Sequence, residues 1–294
     1  MIVIQSVGFG LVTASVIAFG AVGFTLQFGI SNVFNLSFAS VMALSAFVAY
    51  DVTAAGASIW IALVIAGLVG AVASALLNHF VYVPFARRGQ GAFGMIVVTF
   101  AIAVIIEYGI VIIWGNGIVS YPVTGTSGIT VGGMTFSDTE LGIMGLACGS
   151  LLLIHLLLKY SKLGKAMRAV ASDPSLAKSC GIRTQMVVDL AWTISGVLCG
   201  IGGVVIGMNS TSFTPYTFAN FIVVILAAAV LGGVGQPYGA MLGALVIGLA
   251  MSMSALIVNP AYTDVVAFVM LAVVLLVRPQ GIAAGTFSKQ EVSR

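Results

Sequence analysis

One acid stands alone in a long apolar run. Glu107 is the only charged side chain of IAVIIEYGIVIIW. An ionisable group surrounded by hydrocarbon is costly and by default marks function. The plainer reading is a structural Glu, protonated or hydrogen-bonded to a neighbouring helix, because no Lys or Arg lies in the interior of an apolar run to pair with it. A second group is Asn35, Ser37 and Ser40, which interrupt a short apolar stretch. A third is Gly232, Gly233 and Gly235, which interrupt another. Broken helices in a membrane line cavities or lie buried in protein, and they can aim a half-helix dipole at a solute. Close helix packing accounts for the glycines equally well. The fourth group is basic: Ser161 to Arg183 holds Lys162, Lys165, Arg168, Lys178 and Arg183, with Lys159 just before it.

No enzyme chemistry emerges from the remainder. There is no phosphate-binding G-x-x-x-x-G-K-[ST] loop, no H-E-x-x-H and no G-x-S-x-G. His79 and His155 are single and read as packing or interface residues. Cys148, Cys180 and Cys199 are scattered, which suggests neither a disulfide framework nor a metal site. The cations are too few and too confined for nucleic-acid binding.

The elements that must position these residues are membrane helices. Of 294 residues, 60% are hydrophobic and 6% charged, against about 25% charged in a soluble domain. The fold class is therefore all-α and polytopic, a single transmembrane domain over 1–294. A span takes about 20 apolar residues. Nine stretches qualify, at 6–28, 33–53, 57–84, 92–115, 138–160, 186–208, 217–233, 237–258 and 262–278, with seven to ten tolerable. The second and seventh are the weakest, short or interrupted, and read as bent or re-entrant. The apolar N-terminus reads as a retained first span rather than a signal peptide. With nine spans, all eleven cations fall on one side. The positive-inside rule then puts the N-terminus outside and the C-terminus in the cytoplasm. The external loop 116–137, rich in Gly, Thr and β-branched residues, predicts a short hairpin.

The basic loop 161–185 has a shape as well as a charge. Lys162 to Ala171 reads as a short helix with Ala166, Ala169 and Val170 on one apolar face. Asp173 is a good N-cap and Pro174 is suited to a first helical position, so a second helix runs to Cys180. Gly181 supplies the stop. Such a helix pair can lie on anionic lipid or fit a groove of a soluble partner.

Here the sequence resembles a known family. GKAMRAVASDPSLAKSCGI is similar to the cytoplasmic coupling loop of the permease subunits of high-affinity branched-chain amino acid ABC transporters, G-[KR]-A-x-R-A-x-A-x-D-x-x-x-A-x-x-x-G-I. Gly164, Lys165, Ala166, Arg168, Ala169, Ala171, Asp173, Ala177, Gly181 and Ile182 fill every fixed position. LAAAVLGGVGQPYGAMLGALVIGLA, then Tyr262 with Asp264 to Val266, then Arg278-Pro279-Gln280-Gly281-Ile282, follow the family's later motifs in order. FNLSFASVMALSAFVAY resembles its N-terminal motif, except that Phe38 and Ala39 stand where the family commonly has His and Gly, and Ser45 where it often has Gly. That half-helix is less polar than usual, which bears on the solute rather than the fold.

The resemblance implies a permease subunit of an ATP-driven, binding-protein-dependent importer in the bacterial inner membrane. It implies two cytoplasmic ATPase subunits, a second homologous permease and an external solute-binding protein, with lipid around them. ATP would be bound by the partner subunits, and this chain would carry no cofactor. Branched-chain or related small amino acids come first as solute. Gly164, Lys165, Arg168, Asp173, Pro174 and Gly181 would carry ATPase coupling. Asn35, Ser37, Glu107, Gly232, Gly233 and Gly235 are the candidates for the translocation pathway. The alternatives are an importer of urea or short amides, or a stand-alone channel or secondary carrier for a small neutral solute.

Overall fold

Hydrocarbon-rich runs without Pro become helices, and here nearly the whole chain does. The computed structural model describes residues 2–89, 91–122, 128–131, 134–210, 212–256, 259, 262–277 and 281. Six helical stretches are long and apolar enough to cross a membrane. They are α1 (Ile2–Ser31), α3 (Ile59–Leu77) with its extension, α5 (Ala92–Trp114), α6 (Asp138–Tyr160), α9 (Thr184–Asn209) and α11 (Pro237–Ser254). The extension of α3 runs through a π turn (Asn78–Tyr82) into α4 (Val83–Arg87). Three apolar helices are shorter: α2 (Phe38–Ala54), α10 (Thr217–Gly232) and α12 (Thr263–Val277). Between α6 and α9 lie α7 (Lys162–Ser172) and α8 (Pro174–Ser179).

Each of the nine expected stretches contains a helix among the described residues, but six of these helices are long enough to span, and the boundaries need correction. The second begins at Phe38 rather than 33, because residues 33–37 form a non-helical connection. The eighth ends at Ser254 rather than 258. The 17 residues of α2 and 16 of α10 give about 25 Å of helix at 1.5 Å per residue, short of the ~30 Å hydrocarbon core. The terminal motif at 278–282, apart from Gly281, and the cations Arg278, Lys289 and Arg294 lie outside the described residues.

Two four-helix halves repeat one packing pattern. Helix α1 lies on α11, and α9 lies on α3; α2 packs on α3 and α5, and α10 on α11 and α12. Helices α1 and α9 cross in opposite directions, since Phe19 meets Gly202 while Gln27 meets Ser195. The halves are therefore related by an inverted repeat, a device common in membrane transporters. Small residues let the backbones approach. A methyl on Gly200 would strike the Ala66 carbonyl, and one on Gly248 would strike Ala14. Apolar burial gives no net gain over lipid, so this close van der Waals contact holds the bundle together.

The loops gather at two ends. At one, strands β1 (Gly128–Val131) and β2 (Met134–Ser137) pair antiparallel, with Ile129 opposite Phe136, and form the expected hairpin. Gln5 Nε2 of α1 donates to Thr135 Oγ1 at 2.6 Å. Ser137 caps α6 through a box with Glu140. Val119 and Phe213 bridge their two segments. Residues 123–127 and 132–133 of the expected loop lie outside the described residues. At the other end are the 32–37 connection, the 233–236 connection and the α7–α8 hairpin.

Candidate functional site

The α7–α8 hairpin matches its predicted chemistry closely. Asp173 Oδ1 accepts from the backbone N–H groups of Ser175 and Leu176 at 2.9 and 3.0 Å, and from Ser175 Oγ at 2.6 Å. The Ser175 hydroxyl first, then these backbone N–H groups, hold the exposed Asp173 carboxyl below its usual range. Gly181 closes α8 at φ +84°, where a side chain is strained. Ile182 N–H returns to the Ala177 carbonyl at 3.0 Å. Helix α8 ends at Ser179 rather than Cys180.

Two details of the hairpin differ from expectation. The buried face of α7 is Gly164, Met167 and Val170, with Ala166 and Ala169 only half-buried at its edge. A spacing argument on alanines missed the larger Met167, which points into the bundle. Arg168, expected among the residues that couple to the ATPase, also has an internal contact: its Nη1 donates to the Leu158 carbonyl at the end of α6. It ties the hairpin to α6, and Gly164 packs against the Leu157 and Leu158 carbonyls with no room for a side chain. Lys162, Lys165 and Lys178 are exposed, as is Leu176 at 62%. Free apolar surface flanked by cations is thus what the hairpin presents.

The second feature is a buried polar node where α2 begins. Ser37 Oγ donates to Asn35 Oδ1 at 2.7 Å and meets the Tyr82 hydroxyl at 2.6 Å. Ser37 N–H also reaches Asn35 Oδ1, at 3.0 Å. Tyr82 comes from the π turn and lies against Trp192 of α9, ring centroids 5.0 Å apart. One turn away, Asn78 Nδ2 donates to Asp189 Oδ1 at 2.6 Å. Ser195 Oγ donates to the Gly23 carbonyl at 2.7 Å and lies 3.4 Å from Gln27 Oε1. Thr99 Oγ1 donates to the Phe34 carbonyl at 3.1 Å. Thr99 is seven residues into α5, so the connection sits about 10 Å inside that helix end. Non-helical backbone at such depth is tolerated because protein side chains satisfy it.

Of the predicted pathway residues, the fold joins Asn35 and Ser37 and leaves the others apart. Ser40 is buried one turn on. Glu107 is half-buried on α5, eight residues beyond Thr99, about 12 Å along the helix. Gly232 packs on Gly239 and Ala240 and closes the α10–α11 crossing. Gly233 and Gly235 have φ of +104° and +87°, turning the chain between those helices. Gly235 touches Gly29 at the end of α1, and Gly281 lies against Gly233. Sequence reasoning missed Gln27, Tyr82, Asp189 and Trp192. The signal for Gln27 and Asp189 was a polar residue inside or beside an apolar run; the two aromatics offered none.

Comparison with known proteins identifies the family and a similar fold. Residues 6–275 match the family described as the branched-chain amino acid transport system permease component. The chain is 29% identical over 289 residues to the high-affinity branched-chain amino acid transport system permease protein LivH of Escherichia coli K12, covering 93% of this chain and 92% of that protein. It is 37% identical over 129 residues to the corresponding permease protein BraD of Pseudomonas aeruginosa, covering 44% and 42%. Its fold is similar to that of PsaBC from Streptococcus pneumoniae solved in complex with a Fab, at a TM-score of 0.52 and 13% identity over 96% of this chain and 94% of that one. With its six long apolar helices, the chain is a multi-pass protein of the bacterial inner membrane and belongs to the branched-chain amino acid transport system permease family.

Proposed function

We propose that the chain is the membrane subunit of an ATP-driven, binding-protein-dependent importer of branched-chain or related small amino acids, working by alternating access. The observation that carries this reading is the α7–α8 hairpin. It is a rigidly capped pair of short helices, tied to α6 by Arg168 and continuous with α9, that offers exposed Leu176 among cations. A membrane protein that moved solute by itself would have no need of so well-defined a surface outside its helices. In this reading an ATPase subunit takes that surface into a groove. Two such subunits would act on this chain and a homologous permease, and a binding protein would dock at the opposite end, beside strands β1 and β2. All nine apolar helices would form one transmembrane domain, with the N-terminus outside and the C-terminus in the cytoplasm.

The physical route is short. Force on α7–α8 passes into α9, whose Asp189 and Trp192 contact the π turn and so the start of α2. Asn35, Ser37 and Tyr82 would then gate the cytoplasmic end. An aromatic group at the opposite end, with Phe213 against Phe47 at 5.3 Å and Tyr121 at 5.1 Å, would gate the outer one. Glu107 has no role in this path; a pathway contribution from it would require movement of α5. The test is reconstitution of the chain in liposomes with its ATPase, second permease and binding-protein partners. ATP-dependent L-leucine uptake is expected only from the full assembly. Uptake by this chain alone, without ATP, would overturn the reading.

A further inference from the structure

Helix α2 begins inside the protein with its first N–H groups exposed to nothing. Ser37 uses its hydroxyl on Asn35 and Tyr82, so it does not cap the helix. Phe38 N–H reaches the Asn35 carbonyl at 3.4 Å, and the next helical bond is Val41 N–H to the Ser37 carbonyl. That leaves the N–H groups of Ala39 and Ser40 without an acceptor among the described residues, and both residues are buried. Orphan donors at a helix start are ordinarily satisfied by a cap, by water or by a ligand. The helix dipole adds a partial positive charge there.

Two buried side-chain donors on the neighbouring helices α9 and α1 have no acceptor among the described residues. Trp192 is fully buried and its Nε1–H has no acceptor; its ring rests on Tyr82, whose hydroxyl holds Ser37. Gln27 is 1% exposed and its Nε2 has no acceptor; its Oε1 lies 3.4 Å from Ser195, one turn from Trp192 on α9. The same face of α9 meets the first turn of α2, where Cys199 Sγ contacts the Phe38 carbonyl at 3.2 Å. Helices α1, α2 and α9 thus each carry a buried N–H donor that none of the acceptors among the described residues takes up. Buried N–H groups left unsatisfied are rare and costly. The nearest acid on α9, Asp189, lies one turn toward the α7–α8 end and is engaged by Asn78 and by Gln185.

We propose that the start of α2, with the Trp192 indole N–H and the Gln27 amide, is the contact for the carboxylate of the transported solute. A carboxylate accepts through two oxygens and about four lone pairs, which suits two backbone and two side-chain donors. A helix N-terminus in a dry interior favours a negative group. The departure of Phe38 and Ala39 from the family pattern removes side-chain polarity, yet the backbone donors remain. The assignment rests on the reading of the chain as an amino-acid importer subunit, and the experiment separates the two.

The probes are labelled L-leucine and labelled urea, followed into cells that express the complete importer and lack their own routes for both. Trp192→Phe keeps the ring packed on Tyr82 and removes only the N–H; Gln27→Leu acts from a different helix. Each variant is expected to raise the KM for L-leucine at least 10-fold at unchanged membrane abundance. If one variant fails to accumulate, the other carries the same comparison. L-leucine uptake with an unchanged KM in both variants would overturn the carboxylate contact and leave the importer reading standing. Urea uptake without L-leucine uptake would overturn both.

Discussion

At the scale of the residue, the buried node makes an asymmetric prediction. Tyr82→Phe removes one partner of Ser37, which keeps its bond to Asn35 at 2.7 Å. The expected loss is about 1 kcal/mol. Ser37→Ala instead strands the buried Tyr82 hydroxyl, whose other partner, Asn35 Oδ1, is 3.4 Å away. An unsatisfied buried donor costs about 1–3 kcal/mol, so Ser37→Ala is expected to lower the unfolding midpoint of the purified chain more than Tyr82→Phe. The reverse order would show that the hydroxyl pair is not the main bond. Asp173 gives a second prediction. Its carboxyl is lowered, so the cap contributes above the ordinary carboxylate range and is lost only as pH falls through the lowered value. Across neutral pH the coupling of ATP hydrolysis to transport should therefore be flat in the native protein. Asp173→Asn, which keeps the accepting oxygen, should retain it, and Asp173→Ala should lose it. Asp173 and Gly181 were legible in the sequence because capping is local chemistry. Tyr82 and Trp192 were not, because each is an aromatic in an apolar run whose partner is more than forty residues away.

At the scale of the element, small residues decide which helices touch. Gly200 meets the Ala66 carbonyl on α3, and Gly70 meets Gly196. Gly149 on α6 faces open space. Overpacking of a tight contact costs about 1–3 kcal/mol, and at a backbone-to-backbone crossing no side chain can move aside. Gly200→Val is therefore expected to abolish monodisperse protein on size exclusion, while Gly149→Ala leaves the profile unchanged. Equal profiles would mean that α3 and α9 can separate without unfolding the bundle. The glycines of 232–235 showed the limit of reading such residues from sequence. Their pattern announced an interruption, and the chain does turn there, but Gly232 serves the crossing with Gly239 and does not join Asn35 and Ser37. Spans were legible to within a few residues because a hydropathic run has one outcome in lipid. The 33–37 connection was not, since Phe34 and Leu36 keep it apolar although its backbone leaves the helix.

At the scale of the whole molecule, the inverted repeat offers two ends of matching construction. The start of α2 is closed by Tyr82, Trp192 and Phe24, and the start of α10 by Phe213, Tyr121 and Phe218. Both are shut in this structure: Ser37 is fully buried and Tyr121 nearly so. If the two halves rock against each other, opening one end tightens the other, because α1 and α9 belong to both contacts and cross antiparallel. A channel has no such exclusion. Cysteine placed at Tyr121 and, in a separate protein, at Ser37 reports the difference once Cys180, exposed on the hairpin, is replaced by Ser. Cys199 is buried, and Cys148, exposed on α6, is replaced by Ser as well. With a water-soluble maleimide, trapping the ATPases in their closed state should raise labelling of Tyr121→Cys from outside and lower labelling of Ser37→Cys from the cytoplasmic side. Removal of nucleotide should reverse both. Labelling that rises at both ends in one nucleotide state would mean a continuous pore, and alternating access through these two aromatic closures would have to be abandoned.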